Sequence, residues 1–179
     1  MAVNKKLTSI LPIIIALYST HSLGSDDEIL NFLDNKVENK TKLLSDSISR
    51  CKKEENTSSE LRLDLNVFKT LKVSKNKFMK SLFYFKFRNQ ELCESKSRYA
   101  LAFAINQLNF TRSELGLAVS EYSESTTEIL YESKKFLQLK IDFMKLDENI
   151  RSEFEKQIGK KPFNPHNILE KLDTDLLNK

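Results

Sequence analysis

Beyond residue 25 the apolar positions recur at helical intervals. Leu30, Leu33, Val37, Leu44, Ile48 and Cys51 return at three-, four- and seven-residue spacing, which predicts an amphipathic helix over about 26–51. Asp26, Asp27 and Glu28 open it, where carboxylates favour the positive end of the helix dipole. The polar run from Lys52 to Ser59 predicts a break. Thr57 and Glu60 have capping-box spacing, and Leu61, Leu65, Phe68 and Leu71 follow on one face, so a second helix is expected over 58–72. Ser74 then stands as cap of a longer helix carrying Phe78, Leu82, Phe85, Leu92, Ala100 and Phe103 towards Leu108.

Asn109 and Phe110 interrupt this pattern, and Thr111 with Glu114 repeats the capping-box spacing. Gly116 and the Ser-Glu-Ser-Thr-Thr run at 123–127 weaken the next helix, with Ser125 and Glu128 offering a restart. Ile129, Phe136, Phe143 and Ile150 recur every seven residues, and the stripe continues to Ile158. Ser133, Lys140 and Asp147 are polar where a coiled coil wants apolar residues. That favours one long helix packed on its own chain, with self-association through the stripe as the alternative. Gly159 closes it, and Asn164-Pro165 starts a short terminal helix with Ile168, Leu169, Leu172 and Leu176 on one face. The expected fold is all-α: a disulfide-linked helical bundle over 25–118, then an extension over 119–179 made of a long C-terminal helix and a short terminal one.

Composition supports that class. The 179 residues include 3 Gly and 3 Pro, too few turn formers for a sandwich or barrel. Lys5 and Lys6 precede a mostly apolar stretch from Leu7 to Tyr18, and small residues Ser22 and Gly24 precede Ser25. This is the layout of a secretory signal, cleaved after Gly24, so residues 1–24 are read as a signal peptide and the protein as periplasmic or secreted. The apolar stretch is shorter than the roughly 20 residues a membrane span needs. In an oxidising compartment Cys51 and Cys93, the chain's 2 cysteines, are expected to pair.

Charge narrows the partners. The net charge of +4 falls to about +2 without Lys5 and Lys6, too little to name a polyanion as ligand. Lys69, Lys72, Lys75, Lys77, Lys80, Lys86 and Arg88 interleave with Phe78, Phe83, Tyr84, Phe85 and Phe87 with no acid among them. The aromatic spacing fits a core stripe with a lysine-coated outer face better than a nucleic-acid site. Acidic residues gather instead in the first helix and at Glu121, Glu124, Glu128 and Glu132. There is no Gly-rich phosphate loop, nucleophile elbow or Cys–His pairing. No catalytic residue, metal site or cofactor is therefore expected, and His166 beside a helix start is read as a surface or capping residue.

Three short motifs around the cysteines add a direction. Leu65-Asn66-Val67-Phe68, Phe85-Lys86-Phe87-Arg88-Asn89 and Leu108-Asn109-Phe110-Thr111-Arg112-Ser113-Glu114-Leu115 follow Cys51 in that order, with Cys93 between the last two. Residues 51–115 thereby resemble the small helical exported domain named after the LprI lysozyme inhibitor. That family shows Leu-Asn-x-x-Tyr, then Trp-x-x-Tyr-Arg-Asp, then Leu-Thr-x-x-Arg-x-x-x-Leu around paired cysteines. Phe68 replaces the tyrosine here, and the tryptophan is absent. The resemblance implies a protein partner, a lysozyme-like hydrolase, with Phe85, Phe87, Arg88 and Arg112 as candidate partner-binding residues. It implies inhibition of, or immunity to, a peptidoglycan-cleaving enzyme by occlusion of its cleft. The rival expectation is a structural or assembly protein of the envelope that acts by helix–helix contact.

Overall fold

The computed structural model describes residues 23–57, 61–130, 133–166 and 168–170. The signal-like segment before Leu23, the side chain of Glu128, Glu132, and Leu172 and Leu176 lie outside the described residues. Every regular element among the described residues is a helix: α1 (Leu23–Thr57), α2 (Leu65–Thr70), α3 (Lys75–Glu114), α4 (Tyr122–Leu130), α5 (Lys134–Met144) and α6 (Glu148–Ile158). A helical turn follows Pro165, whose carbonyl accepts from the amides of Ile168 and Leu169 at 3.1 and 3.0 Å.

Local chemistry sets most boundaries, in several places not where the sequence pattern put them. α1 runs through the expected break at 52–59 as far as Thr57. Lys52, Lys53, Glu54 and Glu55 are good helix formers, and their polarity marks a solvated turn rather than a stop; Glu55 pairs with Lys86 of α3 at 3.4 Å. The second helix is six residues long, not the expected 58–72, because Asp64 caps it by accepting from the Asn66 amide at 3.0 Å. It closes through Lys72, at φ 53°, with amides of Lys72 and Val73 reaching Lys69 O and Phe68 O at 2.9 and 3.0 Å. Ser74 caps α3 as expected, accepting from Lys77 N.

α3 then passes through Asn109 and Phe110 without interruption and stops where Gly116 takes φ 70°. Leu117 N reaches Arg112 O at 2.8 Å and Gly116 N reaches Ser113 O at 3.1 Å, the paired closure that a left-handed glycine allows. Thr111 and Glu114 therefore end a helix rather than start one. The seven-residue stripe is carried by three helices, not one. Ser133 caps α5 by accepting from Phe136 N at 3.2 Å, and Asp147 is the N-cap of α6. These residues were polar because they sit at helix starts. Gly159 ends α6 as expected.

α1 and α3 lie antiparallel, registered by Lys36–Gln107, Ser47–Ser97 and the Cys51–Cys93 disulfide. Two cores form along α3. One is aromatic: Phe68 of α2, Phe78, Tyr84 and Phe85 of α3, Phe136 and Phe143 of α5 and Phe154 of α6, closed by Phe163 and Ile168. Ring centroids there lie 4.5 Å apart for Phe68–Phe154 and 4.7 Å for Tyr84–Phe143, the range of favourable aromatic pairing. The other joins Leu33, Val37 and Leu44 of α1 to Leu101, Ala104, Ile105 and Leu108 of α3, with Tyr122 and Leu130 of α4 against it. Each core draws on residues before and after position 118. Phe136, Phe143, Ile150, Phe154 and Ile158 are all buried inside the chain, so most of the stripe packs on its own chain, while Ile129 at its start and the flanking Leu137 and Met144 are exposed.

Candidate partner-binding site

The four partner-binding candidates occupy different places. Phe85 is wholly buried in the aromatic core, while Phe87 is 38% exposed at its edge. The Arg88 guanidinium stacks over the Phe85 ring at 4.1 Å. It donates to Glu155 Oε1 at 2.5 Å, to Gly159 O at 2.6 Å and to Asn89 Oδ1 at 3.1 Å. The buried Asn89 amide donates to the carbonyls of Gly159 and Lys161 at 3.2 and 2.8 Å. Together they hold the C-terminal end of α6, where a cation is favoured by the dipole. Gly159 turns there at φ 67° and ψ −147°, a region essentially confined to glycine. In this geometry Phe85 and Arg88 tie α3 to α6.

Arg112 lies at the opposite end of α3, and there the chain builds a surface. Its Nε donates to Ala118 O at 2.6 Å. Asn109, one turn earlier, accepts at Oδ1 from the Ser120 amide at 2.9 Å and the Ser120 hydroxyl at 2.8 Å, and donates from Nδ2 to Ser123 Oγ at 2.5 Å. With the Gly116 closure, these bonds hold the 115–121 turn at both ends and in the middle. What the turn presents is apolar: Leu115, Leu117 and Val119 are exposed.

Beside the turn, Asp34 and Glu38 of α1 share an open groove with Arg112, Ser120, Glu121 and Tyr122. Burial raises the Tyr122 phenol above its ordinary pKa, and the negative fields of Glu38, Asp34 and Glu121 add to the shift. The site thus combines a fixed apolar turn with a carboxylate-rich flank. Such a surface suits a partner that offers a recess and basic groups.

The basic aromatic segment is used within the fold in part, with Lys69, Lys72 and Lys77 left exposed. Lys80 pairs with Asp142 of α5 at 2.7 Å and Lys86 with Glu55 of α1. Asn164 accepts from the His166 amide at 3.0 Å, so the capping is done by Asn164. The sequence pattern did not single out Glu94 or the turn itself; it took Asn109 as an interruption and Asn89 only as the end of a motif. Glu94 is buried, accepting from Arg98 Nε at 2.8 Å and bonded to Gln90 Nε2. The available signal was spacing: Gly116 after an uninterrupted apolar stripe, with Asn109 one residue past a core leucine. Among the described residues no cluster of His, Cys, Asp and Glu has a metal-holding arrangement, and no helix is long and apolar enough to cross a membrane. Compared with protein-family profiles, curated proteins and solved structures, the chain gives no match.

Proposed function

We propose that this is an exported binding protein that blocks a peptidoglycan-cleaving enzyme by seating the 115–121 turn in its cleft. The observation carrying the reading is the turn: it is pinned by Arg112, Asn109 and Gly116, yet exposes Leu117 and Val119 beside Asp34, Glu38 and Glu121. A turn ordered before binding loses little conformational entropy on docking, and a carboxylate flank speeds encounter with a basic enzyme. The Cys51–Cys93 bridge supports an oxidising compartment. The LprI resemblance supports the class of partner, with Arg112 as a supporting residue and Phe85 and Arg88 as scaffold.

The test is a turbidity assay of cell-wall hydrolysis by a panel of basic muramidases with the oxidised protein at equimolar ratio. Slowing by the wild type that is lost in Leu117→Asp/Val119→Asp supports the reading. No slowing by any enzyme of the panel, or equal slowing by that variant, overturns it.

A further inference from the structure

The outer face of α3 carries one apolar line along its whole length, and among the described residues only half of it is covered. Phe78 and Phe85 lie under Phe154 of α6, at 5.3 and 6.0 Å between ring centroids. The cover stops at Asn89, where Gly159 and Lys161 cross the helix. Beyond it Leu92, Tyr99, Phe103 and Phe110 stand 46%, 72%, 66% and 63% exposed. At about 100° per residue these four side chains fall within roughly 20° of one direction, a ridge about 27 Å long. Lys36 of α1 extends the patch, its Nζ 5.6 Å from the Phe103 ring centroid. Phe32 and Leu43, one turn before and two turns after Lys36 on that face, are also exposed.

The ridge is symmetric under reversal. Leu92 and Tyr99 are separated by the same interval as Phe103 and Phe110, so the pattern reads alike from either end, with its centre at Leu101. The uncovered stretch, from Asn89 to the end of α3 at Glu114, has almost the same centre. We propose that two copies of the protein pair along this ridge, α3 against α3, antiparallel about a two-fold axis at Leu101. Leu92 of each copy then meets Phe110 of the other, and Tyr99 meets Phe103. Lys96 falls opposite Asn106, so no like charges face each other along the seam.

The α6 cover of one copy lies beyond the end of the other's α3, which leaves the full ridge open to its mate. The four ridge side chains offer roughly 500 Å² per copy, and Phe32 and Leu43 bring the patch towards the about 800 Å² per partner of a stable interface. An isologous contact of this kind closes on itself and forms no filament. The proposal uses a different surface from the 115–121 turn and does not rest on the inhibitor reading.

The test is sedimentation equilibrium of the oxidised protein at tens of micromolar, alongside Tyr99→Glu/Phe103→Glu. The expected result is twice the monomer mass for the wild type and monomer mass for the variant with an unchanged circular-dichroism spectrum, since both side chains are exposed. A monomeric wild type overturns the proposal. A dimer that survives the double variant also overturns it. Register is read by cysteine cross-linking: Lys96→Cys mixed with Asn106→Cys is expected to link copies faster than either alone, and preferential linking of Lys96→Cys to itself refutes the antiparallel pairing.

Discussion

Replacing Asn109 by alanine tests the account of the 115–121 turn most directly. The side chain makes three hydrogen bonds across the turn, two through Oδ1 to the amide and hydroxyl of Ser120 and one from Nδ2 to Ser123 Oγ. Ser120 is buried, so Asn109→Ala leaves its amide without a partner and without water. An orphaned buried donor costs about 1–3 kcal/mol, and each remaining bond contributes a net 0.5–1.5 kcal/mol. These sum to about 2–6 kcal/mol, and because the Ser120 and Ser123 hydroxyls recover part of it by turning to water, a loss of about 2–4 kcal/mol is expected. That corresponds to a fall in Tm of roughly 4–16 °C for a chain of this size. Asn109→Asp keeps the acceptor for Ser120, and the Ser123 hydroxyl can rotate to donate, so its cost is expected to be under half as large. Urea denaturation of the three proteins measures the difference, and hydrogen exchange at the Ser120 amide localises it. Equal destabilisation by Ala and Asp, or a loss below about 0.5 kcal/mol for Ala, would refute the role given to the Oδ1 acceptor.

Three other outcomes follow from the geometry. Lys72 holds φ 53° at the end of α2, so Lys72→Gly is expected to stabilise the protein by about 0.5–1 kcal/mol in chemical denaturation; destabilisation counts against a left-handed closure there. The Cys51–Cys93 link spans 42 residues of sequence, and Cys51→Ala/Cys93→Ala is expected to lose about 4 kcal/mol on the chain-entropy model, with no loss in urea counting against it. Asp142 titrates below the ordinary aspartate value of 3.8, chiefly through its hydrogen bond from Lys80 and then that from Gln138. Its contribution to stability is therefore present above that value and fades as pH falls towards its folded-state pKa; an NMR titration with a midpoint at or above 3.8 would contradict the Lys80 contact.

The all-α class, the cysteine pair, the Ser74 cap and the Gly159 stop were legible because each depends on residues close together in sequence or on composition. Two errors share one cause, the reading of polarity as interruption: the charged Lys52–Glu55 turn is helical and solvated, and Asn109 spends its side chain on Ser120 and Ser123. A third is the reverse, since Ser133 and Asp147 are helix starts inside a stripe that looked continuous. The seven-residue recurrence from Phe136 to Ile150 reported burial correctly. It did not report continuity, because separate short helices packed on α3 can keep the same spacing. The turn at 115–121 was illegible for a related reason: its order comes from the long α3 holding Asn109 and Arg112 in place, which no local pattern announces.

The Cys51–Cys93 bridge meets α3 near the middle of its length, between the aromatic core and the aliphatic one. Seen as mechanics, it is a rivet at the centre of a beam. Load applied at the 115–121 end, whether a docking partner or a substitution in the turn, passes through a covalent joint before it reaches Phe85 and Phe154. Substitutions at the turn end of α3 are then felt first by the aliphatic core and the bridge, and only beyond them by the aromatic core.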